Sequence, residues 1–216
     1  MTYSTIGSAY PPTATISRFA TVRPEELRGR SAGVMVGAVF GLVWDASTRS
    51  ALTSAGWVAS LVVGVVMFAM LMTGALRLRR SARELPASQP GAAGRPRWRW
   101  RFTMVVAAEW VAIIAAVNIL ASSGHSQWIP AVICAAVGVH FAPLARLFNV
   151  RLYYATALAL CAVASATVIL GALGAPPTLW TALPGLGAAV TLWATSTILL
   201  IVSTAFTRRT DPPVTG

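Results

Sequence analysis

The fold is decided by a stretch of 56 residues, from Leu152 to Thr207, that contains no charged side chain: LYYATALALCAVASATVILGALGAPPTLWTALPGLGAAVTLWATSTILLIVSTAFT. About 20 apolar residues in a helix cross a bilayer core about 30 Å thick, so this stretch is long enough for two helices. The segment 174–177, GAPP, interrupts it. Prolines end helices because they lack an N–H and disfavour helix in the residue before them. The stretch therefore predicts two spans, 152–173 and 183–206.

Four more apolar runs precede this stretch, and each has the length of a single membrane span. They predict helices over 31–50, 56–76, 102–122 and 128–148. The sequence thus predicts an all-α fold, a polytopic bundle of six transmembrane helices in one domain. The bundle occupies 31–207 and includes a cytoplasmic loop, 77–101, between the second and third spans. A cytoplasmic tail precedes it (1–30) and a second one follows it (208–216).

Composition excludes an ordinary soluble domain. Hydrophobic residues make up 56% of the chain and charged residues 11%, with a mean hydropathy of +0.68, whereas soluble domains carry about 25% charged residues. The net charge of +11 comes from basic residues that flank the spans rather than cover a folded basic face, which excludes nucleic acid as a partner. All 17 basic residues are Arg, a bias typical of GC-rich bacterial genomes.

The arginines also predict the orientation. If the six spans are correct, 16 of the 17 arginines lie at the ends of spans that face one side of the membrane, and Arg49 alone lies on the opposite side. Because cytoplasmic loops collect basic residues, both termini are expected in the cytoplasm, N-in and C-in. We therefore expect a multi-pass protein of the inner, or plasma, membrane.

The first span carries a regular stripe: Gly33, Gly37, Gly41, Asp45 and Arg49 recur every four residues. Glycine at this spacing lets another helix backbone approach closely, which predicts helix packing along the stripe. The stripe packs against another helix of the same chain, contacts a second copy or membrane partner, or lines a pore. One helical turn separates Asp45 from Arg49, which predicts a structural ion pair at the outer end.

Two polar residues lie deep within predicted spans. Glu109 is eight residues past Arg101, about 12 Å into the third span, and His140 is about 9 Å into the fourth. Antiparallel helices would place them at similar depth. Their contact would be either a structural hydrogen bond between the helices or a proton or ligand site. Asn118, nine residues after Glu109, belongs on the opposite side of the third helix.

Basic and indole side chains alternate just before the third span. This pattern predicts contact with anionic lipid headgroups, each Arg contributing about 1 kcal/mol near the surface. The residues are Arg95, Arg97, Trp98, Arg99, Trp100 and Arg101.

No pattern of catalysis or cofactor binding is found. The chain has no nucleophile elbow, no HExxH metal motif and no phosphate loop. Cys134 and Cys161 lie in apolar runs without metal-ligand spacing. We expect no enzyme activity, no metal and no cofactor.

The segment from His140 to Phe148, HFAPLARLF, with Tyr153 and Tyr154 shortly after it, resembles a segment of small uncharacterised bacterial integral membrane proteins. The resemblance covers about 15 residues. It implies no activity.

Two functions fit these features. An inward-facing Glu and His in a bundle are typical of substrate or proton paths, which favours a small transporter or permease-like protein, proton-linked through that pair. The alternative is a non-catalytic scaffold or partner-binding subunit, favoured by the glycine stripe and the scarcity of polar groups. A polar cavity reaching Glu109 would favour transport, whereas a dry core with an exposed small-residue groove would favour partner binding.

The orientation can be tested in intact cells. Cysteines introduced as Ser81→Cys and Ser123→Cys would lie on opposite sides of the membrane if the spans are correct. We expect an impermeant thiol reagent to label the cysteine at 123 and not the one at 81. The reverse pattern would overturn the N-in, C-in assignment.

Overall fold

The computed structural model describes residues 24–84 and 96–208, without the side chains at the helix ends 24–25, 96–99, 101 and 206–208. This part of the chain contains six α-helices long and apolar enough to cross a membrane, which confirms the predicted six-helix bundle. Their bounds are α1 Pro24–Ala46, α2 Ser54–Glu84, α3 Pro96–Ser122, α4 Ile129–Phe148, α5 Leu152–Ala172 and α6 Pro177–Arg208.

Several helices extend beyond the predicted apolar runs. Helix α2 has 31 residues, about 46 Å at 1.5 Å per residue, and thus exceeds a hydrocarbon core of about 30 Å. Hydropathy detects only the part of a helix that lies in hydrocarbon, while the helix itself continues into the arginine-rich segment. Helix α1 likewise begins at Pro24, in the predicted tail, because proline is tolerated in the first helical turn.

The turn between α5 and α6 is shorter than predicted. Helix α5 ends at Ala172, as expected, but α6 begins at Pro177 rather than near residue 183. Pro177 occupies the first helical position, where its missing N–H costs nothing. Pro184, one of the buried residues, lies inside α6 and does not break it.

Helix α6 lies at the centre of the bundle. It packs against α1, α2, α4 and α5, and 44% of the residues in its most apolar 18-residue stretch are buried. Helix α3 is the least buried helix. No residue in its most apolar 18-residue stretch is buried, and it packs mainly against α4. The bundle therefore has a dense centre around α6 and one peripheral helix.

The glycine stripe of α1 packs within the chain. A Cβ atom added at Gly37 would collide with Ser196, and one at Gly41 would collide with the indole of Trp193. Both partners belong to α6, so Gly37 and Gly41 join the first and last helices. A Cβ at Gly33 would instead lie 2.7 Å from the Tyr153 hydroxyl of α5. Packing within the chain thus accounts for the close spacing of Gly37 and Gly41, and a second copy or membrane partner at the stripe stays a prediction.

Small residues also bring α4 and α5 together. A Cβ at Gly138 would lie 2.8 Å from the Cys161 sulfur and 3.1 Å from the Ala157 carbonyl oxygen. The Cys134 thiol donates to the Leu160 carbonyl at 3.4 Å. Both cysteines thus act as small packing residues between these helices.

The glycine stripe provides a test of the packing. We expect Gly41→Ala to reduce the free energy of unfolding by about 1–3 kcal/mol, the usual cost of overpacking a core, because the buried indole of Trp193 blocks the added methyl group. Gly29→Ala is the matched control, since nothing lies within 4 Å of its Cβ position in the same helix. Denaturation of both variants in detergent micelles measures the difference. A Gly41→Ala protein as stable as the control would contradict the close approach.

Candidate functional site

Glu109 occupies the midpoint of α3, thirteen residues from either end. Its side chain shares the face of α3 that carries Ile113 and Ala116, which are also partly buried, and this face packs on α4. An ionised side chain at the centre of a bilayer costs about 2.5–3.5 kcal/mol on insertion scales. The position therefore demands a partner or a bound proton.

The structure brings Glu109 together with His140 of α4. Glu109 Oε2 lies 3.1 Å from His140 Nδ1, and the two side chains are 16% and 11% exposed. The matched depth inferred from the sequence thus corresponds to a direct contact between the helices.

The contact is a close approach without an aligned hydrogen bond. Although the atoms are close, the imidazole Nδ1 is buried without an aligned hydrogen-bond partner. A carboxyl and an imidazole held at this distance can exchange a proton after a small rotation of either side chain. The pair is thus able to hold and to transfer a proton in the middle of the membrane.

Two neighbouring features complete this part of the bundle. Pro143 lies inside α4 and cannot donate a hydrogen bond to the carbonyl of Val139, the residue before His140. Asn118 is exposed on the other side of α3, as its spacing predicts, and its amide donates to the Ile114 carbonyl at 2.7 Å. Asn118 therefore does not belong to the Glu109–His140 site.

Asp45 and Arg49 do not form the ion pair expected from the sequence. Asp45 is only 2% exposed and accepts a hydrogen bond from the Ser60 hydroxyl of α2. The Arg49 guanidinium lies over the indole of Trp57, 5.2 Å from the ring centroid. The two side chains have separate partners, so this prediction was wrong.

The end of α1 explains the difference. The α-helix stops at Ala46, and Ser47–Ser50 form a 3-10 helix. A 3-10 helix has about three residues per turn, so a spacing of four no longer places two side chains on the same face. Arg49 consequently points away from Asp45.

A second buried polar site surrounds Asp45. Its Oδ2 atom is buried without a hydrogen-bond partner, and a Cβ at Gly64 would lie 2.6 Å from it. The same Cβ position is 3.2 Å from the Trp193 ring, whose own Nε1 is also buried without a partner. Helices α1, α2 and α6 therefore meet around one carboxyl group.

Neither Ser60 nor Trp193 was predicted from the sequence. Ser60 could have been found, because Asp45 lies eight residues before Thr53 in the α1–α2 turn and Ser60 seven residues after it. Antiparallel helices place such residues at equal depth. No comparable signal points to Trp193, which is distant in the chain.

One further polar contact lies inside the bundle. Thr156 of α5 and Thr195 of α6 share a hydrogen bond of 2.7 Å between their hydroxyls. The hydroxyl that accepts this bond donates its own proton to a carbonyl of its own helix, Leu152 for Thr156 or Thr191 for Thr195. This is a structural link of the kind common between transmembrane helices.

Most of the predicted lipid-headgroup residues lie outside the described residues. This holds for Arg95 and for the side chains of Arg97, Trp98, Arg99 and Arg101. Trp100 is described and is 65% exposed at the start of α3. Among the residues described, no three His, Cys, Asp or Glu side chains come together in the way metal ligands do.

Comparisons with protein-family models, with curated proteins and with solved structures find no match to this chain. Its function must accordingly be inferred from the chemistry of its own residues.

The partners of Asp45 can be separated by double-mutant cycles of stability. A typical hydrogen bond contributes about 0.5–1.5 kcal/mol, so we expect coupling of that size between Asp45→Ala, which removes the acceptor oxygen, and Ser60→Ala. Coupling between Asp45→Ala and Arg49→Gln should be close to zero. Unfolding in detergent measures both cycles. Equal coupling in the two would contradict the structure and support an Asp45–Arg49 ion pair.

Proposed function

We propose that this chain is a small proton-linked permease of the bacterial plasma membrane, with both termini in the cytoplasm. The proposal is carried by one observation: Glu109 and His140 approach to 3.1 Å in the middle of two membrane-spanning helices. Buried ionisable pairs of this kind are typical of proton relays.

The charge states of the pair explain why it suits a proton. An ionised Glu109 beside a protonated His140 holds one proton, and so does the neutral pair. Adding or removing a proton leaves a net charge in a medium of low dielectric, which is costly. The pair therefore retains one proton at rest and changes occupancy only when water or a conformational change reaches it.

Helix α3 is the element best suited to move with the proton. It packs mainly against α4, while the other five helices are linked through the centre of the bundle. Protonation of Glu109 cancels its attraction to a charged His140 and weakens this contact. Binding of a proton would thus shift α3 between two positions, because the proton binds more tightly in one position than in the other.

The proton must reach the pair along the interface of α3 and α4. Both side chains keep some exposure, and Pro143 leaves a carbonyl without its usual helical partner one turn away. A groove of about 580 Å³ on this protein lies elsewhere, between α2 and α6, and neither Glu109 nor His140 lines it.

Proton flux in proteoliposomes tests the proposal. A pH-sensitive dye inside the vesicles reports flux while a panel of small solutes is added outside. We expect Glu109→Gln to fold normally but to lower solute-dependent flux to that of protein-free vesicles, because the amide cannot take up the proton. Glu26→Gln is the matched control, since Glu26 forms an exposed ion pair with Arg30 at 2.6 Å.

Two outcomes would contradict the proposal. If flux in the Glu109→Gln protein equals that of the wild type, the pair is only a structural link. If the wild-type protein gives no flux with any solute, transport itself is refuted.

A non-catalytic partner-binding subunit is the second candidate, and one observation favours it. The face of α3 opposite α4 is exposed from Met104 to Ser122, including the Asn118 amide, which lipid would leave partly unsatisfied. Residues on this face follow the alternating three- and four-residue spacing typical of paired helices. They are Met104, Ala108, Val111, Ala115, Asn118 and Ser122.

A further inference from the structure

A groove of about 580 Å³ runs between α2 and α6 near the arginine-rich end of α2. Met70 and Ile201 contribute apolar walls, Thr73 and Thr204 contribute hydroxyls, and Arg77 closes one end. The volume is within the range of small-ligand sites, about 300–1,000 Å³.

Packing of α2 on α6 shapes the groove. A Cβ at Gly74 would collide with the Leu200 side chain, so the helices are in close contact at this level. The exposed side chains of Met70 and Ile201, 65% and 60% accessible, project beside this contact. The groove thus opens on the outer surface of the bundle rather than into its core.

The groove crosses the boundary of the hydrocarbon layer. Arg77 is the first charged residue of α2 and lies 23 residues beyond Ser54, about 35 Å along the helix. A hydrocarbon core of about 30 Å therefore ends close to Arg77. From there to Met70, the groove extends about 10 Å toward the middle of the membrane.

The charge at the boundary has no acidic partner among the described residues. Glu26 pairs with Arg30 and Glu109 lies against His140, and Arg77 belongs to neither contact. The Arg77 side chain is exposed, and Arg80, one turn further along α2, adds positive charge. An anion is the complement of this end of the groove.

We propose that this groove is a binding site for one anionic phospholipid. The Arg77 guanidinium binds the phosphate, with the Thr73 hydroxyl one turn below as a second donor, and the apolar walls hold the upper part of an acyl chain. An aqueous phosphate would leave these walls exposed, which is why a lipid is the occupant. The site is separate from the Glu109–His140 pair, and the inference does not depend on proton transport.

Native mass spectrometry of the delipidated full chain tests the site, with phosphatidylglycerol and phosphatidylcholine titrated separately. We expect wild-type protein to retain one phosphatidylglycerol more tightly than any phosphatidylcholine. Arg77→Gln should weaken phosphatidylglycerol binding about fivefold, which corresponds to about 1 kcal/mol for one Arg near the surface. Ala69→Phe, at an exposed position lining the groove, should reduce binding by filling it.

Arg79→Gln is the matched control. Arg79 is also exposed but lies about 200° around the helix from Arg77, so its removal should change binding less than twofold. An equal loss of phosphatidylglycerol binding in the two Arg variants would mean that general surface charge attracts the lipid, and it would overturn the site. The site is equally overturned if Ala69→Phe binds normally, if phosphatidylcholine binds as tightly, or if inorganic phosphate displaces the lipid at equal concentration.

Discussion

The arrangement of this bundle depends on the close approach of α1 and α6. Gly37 and Gly41 remove the side chains that would separate these helices, and Ser196 and Trp193 occupy the space. Between transmembrane helices the hydrophobic effect contributes little, because lipid is as apolar as the helices, so association depends on close van der Waals packing. Once α6 lies against α1, it can also contact α2, α4 and α5.

The same arrangement gives the two intramembrane carboxyl groups different surroundings. Asp45 is enclosed where α1, α2 and α6 meet, in the tightly packed part of the bundle. Glu109 faces a single neighbouring helix at the periphery, where it keeps partial exposure. A group that exchanges protons needs an ionisable partner, and of these two carboxyl groups only Glu109 has an observed one. This contrast is why the proposed function depends on Glu109 rather than on Asp45.

Contacts between neighbouring helices follow a simple geometric rule that the sequence already contains. Short turns make successive helices antiparallel, so residues equally distant from a turn lie at equal depth. Glu109 and His140 lie sixteen residues before and fifteen after His125, and their contact could be predicted on this basis. The rule would also have indicated Ser60 for Asp45, but the regular spacing of four led instead to Arg49. That choice failed because the α-helix ends at Ala46, a local change that spacing alone does not reveal.

The sequence by itself determined the number and approximate position of the membrane spans, because a hydrocarbon core of about 30 Å requires uncharged runs of matching length. It also determined that Glu109 and His140 lie at similar depth. Only the tertiary structure decided that Gly37 and Gly41 pack on α6, that Trp193 lies near Asp45, and that α2 and α6 form a groove lined by Arg77. These contacts join helices that are not consecutive, and no distance along the chain specifies them. They depend on which helix faces fit together when all six pack at once.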